Sequence, residues 1–428
     1  MHRKIALYFS KYKKIIYNIL YFVLFRLTNY LVPWIAIPYI VQTVGLEKFG
    51  ILGFAQTLIL LLYILVDYGI DISGIQTIAQ NRQSKEKLAE QYSIIQFMRI
   101  IMMVLCFLIL GILGMFWQEI RMHYLIYLFS FLILPARILQ AIWFYTGMEE
   151  FKYLNYINFI ARILYLAGIF AFIRAADDFY LVPAIEGTAL ILGGIVSQFI
   201  VLVKLRIVLY FPGVGKILQG YRDGWHVFIS NVSISLYRNA NVIILGLIAN
   251  KEIVGFYYAG EKLIKTLQTV FTPITQVFYP YISRKKVMNP AVAMNIIKKM
   301  LYVLGSITFA LSTAIILTAG PLTYLLFKDA SPAIAIVIRI AGYAIFFSMI
   351  NYILGIIFML NYGMKKYFSL STFFVGILNI IFCVPLCFLL QEQGAAITYL
   401  TSEMILVVFF AYFISAKRKE WKVSNAAA

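Results

Sequence analysis

Apolar runs of about 18 or more residues recur along the whole chain, and a run of that length can cross a bilayer as a helix. The 428 residues are 62% hydrophobic and only 13% charged. The runs do not alternate in polarity as the strands of a membrane barrel would. The sequence therefore predicts an all-α integral membrane protein. Its net charge of +19 does not indicate nucleic acid as a partner, because most basic residues lie between the runs.

Twelve transmembrane helices are predicted, and the distribution of Lys and Arg orients them. The predicted spans are 15–40, 50–74, 92–115, 123–146, 154–174, 179–203, 225–249, 255–282, 297–319, 332–360, 367–390 and 394–415. The loops on the side of the termini carry 24 Lys and Arg, and those on the other side carry 5. Basic loops stay in the cytoplasm, so both termini are predicted to be cytoplasmic.

A weak internal repeat predicts two similar halves. The segment "FGILGFAQTL" begins at Phe49, and "VGFYYAGEKL" begins 205 residues later at Val254. Parallel repeats are typical of transporters that bind substrate between their halves, so we expect two pseudo-symmetric six-helix bundles around a central cavity. The predicted parts are a basic N-terminus (1–14), an N-terminal bundle (15–203), a cytoplasmic linker (204–224), a C-terminal bundle (225–415) and a basic tail (416–428).

Apart from Arg174, Lys298 and Lys299 at span ends, which are counted with the loops, thirteen charged residues lie inside the predicted spans, where each costs about 2.5–3.5 kcal/mol. The eight cations are Arg26, Arg99, Arg137, Arg162, Arg238, Lys262, Lys265 and Arg339. The five acids are Asp67, Asp71, Glu186, Glu261 and Glu403. Any one arginine could belong to a structural ion pair. The surplus of cations nevertheless predicts a cavity that binds an anion, and phosphate fits the planar arginine fork best.

Enzymatic function is not expected from this sequence. The longest predicted loop, between the sixth and seventh spans, has about 20 residues and cannot fold as a catalytic domain. The "GVGK" segment at Gly213 lacks the spacing of a phosphate-binding loop, and the three histidines are scattered. No cofactor or metal is therefore expected.

Three stretches resemble the polysaccharide-biosynthesis flippases, the O-antigen flippase branch of the multidrug/oligosaccharidyl-lipid/polysaccharide exporter superfamily. The first is "LVPWIAIPYIVQTVGLEKFGILGFAQTL" with "LVDYGIDISGIQTIAQNR" after it. The second is "WFYTGMEEFKYLNYIN", and the third is "FISNVSISLYRNANVIILGLIANKEIVGFYYAGEKL". The resemblance covers both halves. One departure is Gln76, which stands where the family usually has arginine, so no role is carried over to that position.

The resemblance implies a flippase that moves undecaprenyl-diphosphate-linked oligosaccharide to the outer leaflet of the bacterial inner membrane. The expected mechanism is antiport with a coupling cation, H⁺ or Na⁺. Its partners would be membrane lipids, the polysaccharide polymerase and the chain-length machinery.

The same resemblance suggests roles for individual residues. Arg26 and Arg238 would bind the diphosphate, with Asn29 and Asn239 beside them. A basic track towards the two openings would comprise Arg99, Arg137, Arg162 and Arg339. The candidates for switching are Glu261, Lys262 and Lys265, and those for binding the coupling ion are Glu186 and Glu403.

Two other functions compete with this interpretation. A multidrug exporter of the same superfamily would share the architecture, but cationic drugs favour a cavity with surplus Asp and Glu. A membrane glycan polymerase or ligase would need a catalytic carboxylate on a large outer loop, and the sequence predicts no loop of that size.

Overall fold

The computed structural model describes residues 31–328 and 331–417. Within those two ranges all regular structure is helical, which confirms the all-α prediction. The chain divides into two compact units. Unit 1 contains Leu58–Asn231, and unit 2 contains Pro33–Thr57 together with the residues from Val232 onward.

The helices are numbered here in chain order. The first ten are α1 (described over Leu31–Val44), α2 (Leu46–Asp67), α3 (Ile70–Asn81), α4 (Lys85–Phe116), α5 (Gln118–Met122), α6 (Tyr124–Phe131), α7 (Ile133–Gln140), α8 (Ile142–Met148), α9 (Phe151–Phe172) and α10 (Leu181–Phe199). The others are α11 (Val214–Ile248), α12 (Lys251–Val270), α13 (Thr272–Met288), α14 (Pro290–Phe327), α15 (Ser331–Ala341), α16 (Ala344–Asn351) and α17 (Lys365–Ala416). A 3₁₀ helix (Ala176–Tyr180) precedes α10, and π-helical turns follow α10 (Ile200–Lys204) and α16 (Tyr352–Leu360).

Eight helical stretches of the described chain are long and apolar enough to cross a bilayer. They are Leu46–Asp67, Lys85–Phe116, Tyr124–Met148, Phe151–Phe172, Ala176–Lys204, Pro290–Phe327, Pro332–Leu360 and Lys365–Ala416. The last has 52 residues and is broken at Gln391, whose φ of 51° is not helical. This break falls between the spans predicted at 367–390 and 394–415. Of two shorter apolar helices, Arg238–Ile248 lies within the span predicted at 225–249, and Leu31–Val44 overlaps the end of the span predicted at 15–40.

Several helices begin before the apolar run that predicts them, because capping residues outside the run start the helix. The Asn289 side chain accepts a hydrogen bond from the Val292 backbone N–H at 3.1 Å, and Pro290 occupies the first helical position. As a result α14 begins at Pro290, and the predicted start at residue 297 is wrong. The helix α11 also begins before its apolar run, at Val214, so the second part of the predicted linker 204–224 is helical.

The helix predicted at 50–74 is interrupted by a sharp bend. Tyr68 and Gly69 both have left-handed backbone angles, with φ of 49° and 78°. Such angles cost little at glycine but are unfavourable at tyrosine. Aromatic packing stabilises the bend, since the Tyr68 ring stacks on Phe228 and meets the edge of Tyr221, with centroids 4.4 and 4.9 Å apart. The bend separates α2 from α3.

The "WFYTGMEEFKYLNYIN" stretch supplies the aromatic core of unit 1. Trp143, Phe144 and Tyr145 are fully buried. Trp143 stacks on Tyr92 of α4 with centroids 5.7 Å apart, and the Tyr145 hydroxyl donates to the Ser197 carbonyl at 2.8 Å. These residues therefore serve packing, and α8 connects α4 to α10 through them.

Within unit 2, α2 and α12 cross so closely that only glycine fits. A Cβ on Gly50 would lie 1.8 Å from the Lys251 carbonyl oxygen, and a Cβ on Gly255 would lie 2.2 Å from the Leu46 carbonyl oxygen. Gly255 follows Gly50 by the 205 residues of the internal repeat, and Lys251 follows Leu46 by the same interval. The crossing therefore pairs equivalent positions of the two repeats. Small residues allow such backbone contact between membrane helices.

One turn further along, the crossing becomes asymmetric. A Cβ on Gly53 would lie 2.5 Å from the ring of Tyr258, which is the equivalent position of the second repeat. The ring fills the space that the glycine leaves. The Tyr258 hydroxyl donates to Gln56 Oε1 at 2.9 Å, so the two helices are also joined by a hydrogen bond.

Replacing either crossing glycine with alanine should destabilise the protein. We expect Gly50→Ala and Gly255→Ala each to lower the free energy of unfolding by about 1–3 kcal/mol, because the added methyl group meets backbone that cannot rotate away. Thermal denaturation of the purified protein in detergent measures the effect. The matched control is Gly215→Ala on α11, where no atom lies within 4 Å of the added carbon. Equal stability of Gly50→Ala and the control would contradict the close backbone contact between α2 and α12.

Candidate functional site

Unit 2 holds a buried ion pair on α12. The Glu261 side chain is only 2% exposed, and its Oε1 accepts hydrogen bonds from the Tyr257 hydroxyl at 3.0 Å and from Lys265 Nζ at 3.1 Å. The three residues are four positions apart and therefore share one face of the helix. A carboxylate in such a site is stable because both donors approach the same oxygen.

The same lysine ties α12 to α11, at the two positions predicted to meet substrate. Lys265 Nζ donates to the Arg238 backbone carbonyl at 2.7 Å and to Asn239 Oδ1 at 3.4 Å. The Arg238 side chain is exposed, and that of Asn239 is partly buried. The backbone of Arg238 is thus held beside the Glu261–Lys265 pair, and the charge of its side chain acts on Lys265.

An asparagine that the sequence analysis missed connects this pair to α17. Asn241 Nδ2 donates to the Tyr257 hydroxyl at 3.3 Å and to the Ala395 carbonyl at 3.2 Å. Asn241 is 1% exposed. Its signal in the sequence is an amide that opens the apolar run "NVIILGLI", where an amide needs buried partners.

A second buried acid, Glu403, lies on α17. Its Oε2 accepts from Asn351 Nδ2 at 2.7 Å, and the same nitrogen donates to its backbone carbonyl at 2.8 Å. The charges of Arg238 and Lys265 attract its carboxylate. One turn earlier on the helix, the Tyr399 hydroxyl donates to Gln268 Oε1 of α12 at 2.7 Å. Charges and hydrogen bonds thus bring both acids into one polar region, which we call the unit 2 cluster: Arg238, Asn239, Asn241, Tyr257, Glu261, Lys265, Gln268, Asn351, Tyr399 and Glu403.

Lys262, predicted to act with Glu261 and Lys265, faces elsewhere. Its Nζ donates to the Tyr258 hydroxyl at 2.9 Å, on the face of α12 that crosses α2. The predicted group of three therefore separates into a pair inside the unit 2 cluster and a lysine at the glycine crossing.

Arg99 is neutralised inside unit 1. Its Nη2 lies 2.5 Å from Asp67 Oδ1 and 2.8 Å from Asp71 Oδ1, and its side chain is 1% exposed. The Asp71 backbone N–H also donates to Asp67 Oδ1 at 3.2 Å. The guanidinium thereby holds the bend between α2 and α3 against α4. This is a structural role, so we leave Arg99 out of the proposed substrate site.

The remaining predicted cations lie on three further helices. Arg162 Nη1 of α9 lies 3.9 Å from Glu186 Oε1 of α10, a longer contact than those of Arg99. The like charge of Arg137 on α7 acts on Arg162. Arg339 on α15 is exposed, with its Nη2 beside Gly320 of α14. Arg26 and Asn29 lie outside the described residues.

The unit 2 cluster is suited to binding and proton exchange. Glu261 and Lys265 share α12, whereas Arg238 lies on α11 and Glu403 on α17, so moving one helix changes which of these charges meet. Among residues 31–328 and 331–417 there is no group of three or more His, Cys, Asp or Glu side chains placed to hold a metal.

Comparison with known proteins gives a consistent family. The family described as polysaccharide biosynthesis protein matches residues 15–286. A relative from Escherichia coli (strain K12), named "Putative O-antigen transporter", is 31% identical over 405 residues, which cover 93% of this chain and 96% of the relative.

Two solved structures share the fold. The lipid II flippase MurJ in an inward closed conformation aligns with a TM-score of 0.71 and 12% identity, covering 93% of this chain and 87% of that one. An inward-facing multidrug resistance MATE family transporter of the MOP superfamily aligns with a TM-score of 0.68 and 14% identity, covering 91% and 95%. At these identities the likeness concerns the fold alone. The family match and the full-length relative confirm the resemblance seen in the sequence: the chain belongs to the polysaccharide biosynthesis protein family.

Proposed function

We propose that this protein is a flippase for lipid-linked oligosaccharide. It would move an undecaprenyl-diphosphate-linked unit of the O-antigen type from the cytoplasmic to the outer leaflet of the bacterial inner membrane. Family membership, the name of the E. coli relative and the fold shared with a lipid II flippase support this proposal. These relatives and fold neighbours are transporters and flippases rather than enzymes.

We further propose the topology predicted from the sequence, with twelve spans in two six-helix bundles around a central cavity and both termini in the cytoplasm. The excess of basic residues in loops on one side supports the orientation. The break of α17 at Gln391 and the two shorter apolar helices support more than eight spans. The glycine crossing between equivalent positions supports duplication.

The observation that carries the substrate assignment is the exposed residue Arg238, whose backbone carbonyl accepts from Lys265 and whose charge acts on that lysine. Two cations on adjoining helices attract a group with more than one negative charge, and a diphosphate is such a group. Asn239, next to Arg238, can donate to phosphate or sugar oxygens. Arg26 and Asn29, on the first predicted span of the first half, would bind the same diphosphate, and Arg137, Arg162 and Arg339 would extend the basic track.

Ion coupling and alternating access are part of the proposal. Glu261 is a buried acid paired with Lys265 of its own helix, and Glu403 is a buried acid on which the charges of Arg238 and Lys265, on two other helices, act. Binding of H⁺ or Na⁺ at either carboxylate would weaken its hold on those cations, and a switch of this kind needs two arrangements of similar energy. Glu186, paired with Arg162, is the corresponding candidate in unit 1.

An ion-coupled multidrug exporter is the second candidate, favoured by the fold shared with the MATE family transporter. The two candidate functions differ in the sign of the charge on the substrate that the protein must bind. A cationic drug requires accessible carboxylates, whereas Glu261 and Glu403 are each 2% exposed and already have partners. Binding of a labelled lipid diphosphate and of a cationic dye to the purified protein would distinguish them.

Removing the Arg238 guanidinium should stop export of the glycan. We expect Arg238→Ala to reduce glycan display at the cell surface about tenfold or more, since charge-assisted hydrogen bonds to phosphate would be lost. Arg238→Lys should retain part of the activity, because the charge remains without the planar fork. Surface glycan is measured by antibody or lectin binding, with membrane protein level determined in parallel.

The matched control for this prediction is Arg222→Ala, an exposed arginine of the same helix outside the unit 2 cluster. Its glycan display should equal that of the wild type. Normal display from a well-expressed Arg238→Ala protein would remove Arg238 from the substrate site.

Variants of the Glu261–Lys265 pair can separate its contribution to stability from its proposed role in ion coupling. Glu261→Gln alone leaves the ammonium of Lys265, whose side chain is 26% exposed, without its carboxylate and should cost about 1–3 kcal/mol of stability. The double variant Glu261→Gln with Lys265→Met removes both charges and should recover most of that loss. Denaturation measures both effects. In proteoliposomes the double variant should no longer respond to an imposed H⁺ or Na⁺ gradient, and a response equal to that of the wild type would exclude Glu261 as the coupling group.

A further inference from the structure

Unit 1 contains a cavity that the proposed function does not use. It has a volume of about 320 Å³ and lies between α4 and the α5–α6 segment. Its lining is almost entirely apolar or aromatic: Phe107, Leu110, Gly111, Gly114, Ile120, Arg121, Tyr124, Tyr127 and Leu128. This volume is near the lower end of ordinary small-molecule sites, about 300–1,000 Å³.

Two glycines of α4 create the space. No atom lies within 4 Å of a Cβ built on Gly111, and the nearest atom to one on Gly114 is Ile120 Cγ2 at 3.6 Å. Any larger side chain at Gly111 would project into the cavity. The inner wall is buried, with Ile120 and Tyr127 at 3% and 1% exposure, whereas Tyr124 is 60% exposed. The cavity therefore opens on the outer face of the helices.

The lining of the cavity extends along much of one leaflet. A helix rises about 1.5 Å per residue, so α4 covers about 10 Å from Phe107 to Gly114, the first and last of its lining residues. The hydrocarbon of one leaflet is about 15 Å thick, half of the whole core. The proposed topology places this end of α4 in the outer leaflet. Arg121, on the short helix α5, lies at the end where lipid headgroups would be.

Two polar groups restrict the kind of lipid. Arg121 can bind a phosphate, and the Tyr127 hydroxyl is buried without a hydrogen-bond partner. A buried hydroxyl without a partner is unfavourable, so an acceptor from the ligand would stabilise it. Glu119 also belongs to α5, and its charge acts on Tyr127. A negative charge there disfavours a headgroup with a net negative charge.

We propose that this cavity binds one chain of a zwitterionic glycerophospholipid of the outer leaflet. Its phosphate meets Arg121, its amine lies near Glu119, and an ester carbonyl accepts from the Tyr127 hydroxyl. A polyprenyl carrier fits less well. Its chain has no oxygen beyond the phosphates, and a diphosphate would bring more negative charge to Glu119.

Titration of the delipidated, full-length protein with phosphatidylethanolamine, followed by native mass spectrometry, tests the proposal. The wild type should hold one lipid. Gly111→Leu should weaken this binding at least about tenfold by filling the cavity, and Arg121→Gln about tenfold by removing a charged hydrogen bond. Tyr127→Phe, the most conservative change, should weaken it about fivefold. The matched control is Gly215→Leu, which adds the same side chain in open space on α11.

Three results would overturn the assignment. The first is equal lipid binding by Gly111→Leu and the Gly215→Leu control, with both proteins melting at the wild-type temperature. The second is unchanged binding by Tyr127→Phe together with full displacement by polyprenyl phosphate, which would assign the cavity to the carrier. The third is the absence of any tightly held lipid in the wild type. None of these results bears on glycan export, so the flippase proposal can fail or stand separately.

Discussion

A carboxylate in the apolar interior of a helical protein is stable only when it is paired with a cation or a hydrogen-bond donor. The packing of unit 2 depends on the pairing of Glu261 with Lys265. Their contact at 3.1 Å is extended by hydrogen bonds to α11 and α17 through Lys265, Tyr257 and Asn241. Hydrogen bonds among buried polar groups strengthen one another at low dielectric, and each unmade one is costly. The network therefore specifies how these helices pack, while the apolar residues around it would accept several arrangements.

Part of this site could be predicted from the sequence because it is local. Glu261 and Lys265 are four residues apart in one helix, and that spacing alone brings them together. The pairing of Arg99 with Asp67 and Asp71 joins different helices, and it requires the bend at Tyr68, which no hydropathy pattern indicates. The balance of charges thus gives a surplus of cations in the sequence, but it could not tell which of them are already neutralised.

The number and the limits of the helices also differ between the sequence prediction and the structure. The length of an apolar run matches the thickness of the hydrocarbon core. Such runs therefore locate the spans but do not indicate where each helix begins outside the lipid. Caps such as Asn289 and Ser84 set those starts by local hydrogen bonds outside the lipid, which is why α14 and α4 extend beyond their runs. The repeat was visible from sequence, but the contact of Gly50 with Gly255's helix was not, since a missing side chain leaves no hydrophobic signal.

The helix α12 joins the two features that distinguish unit 2. Gly255, Tyr258 and Lys262 follow one another at helical spacing on the face that crosses α2, whereas Tyr257, Glu261 and Lys265 form the face within the polar cluster. A helix is stiff over this distance, because Tyr258 and Glu261 are separated by only about 4.5 Å of rise. Any rotation of α12 that moves Glu261 away from α11 must also shift Tyr258 against Gly53. The carboxylate and the glycine crossing therefore cannot change independently.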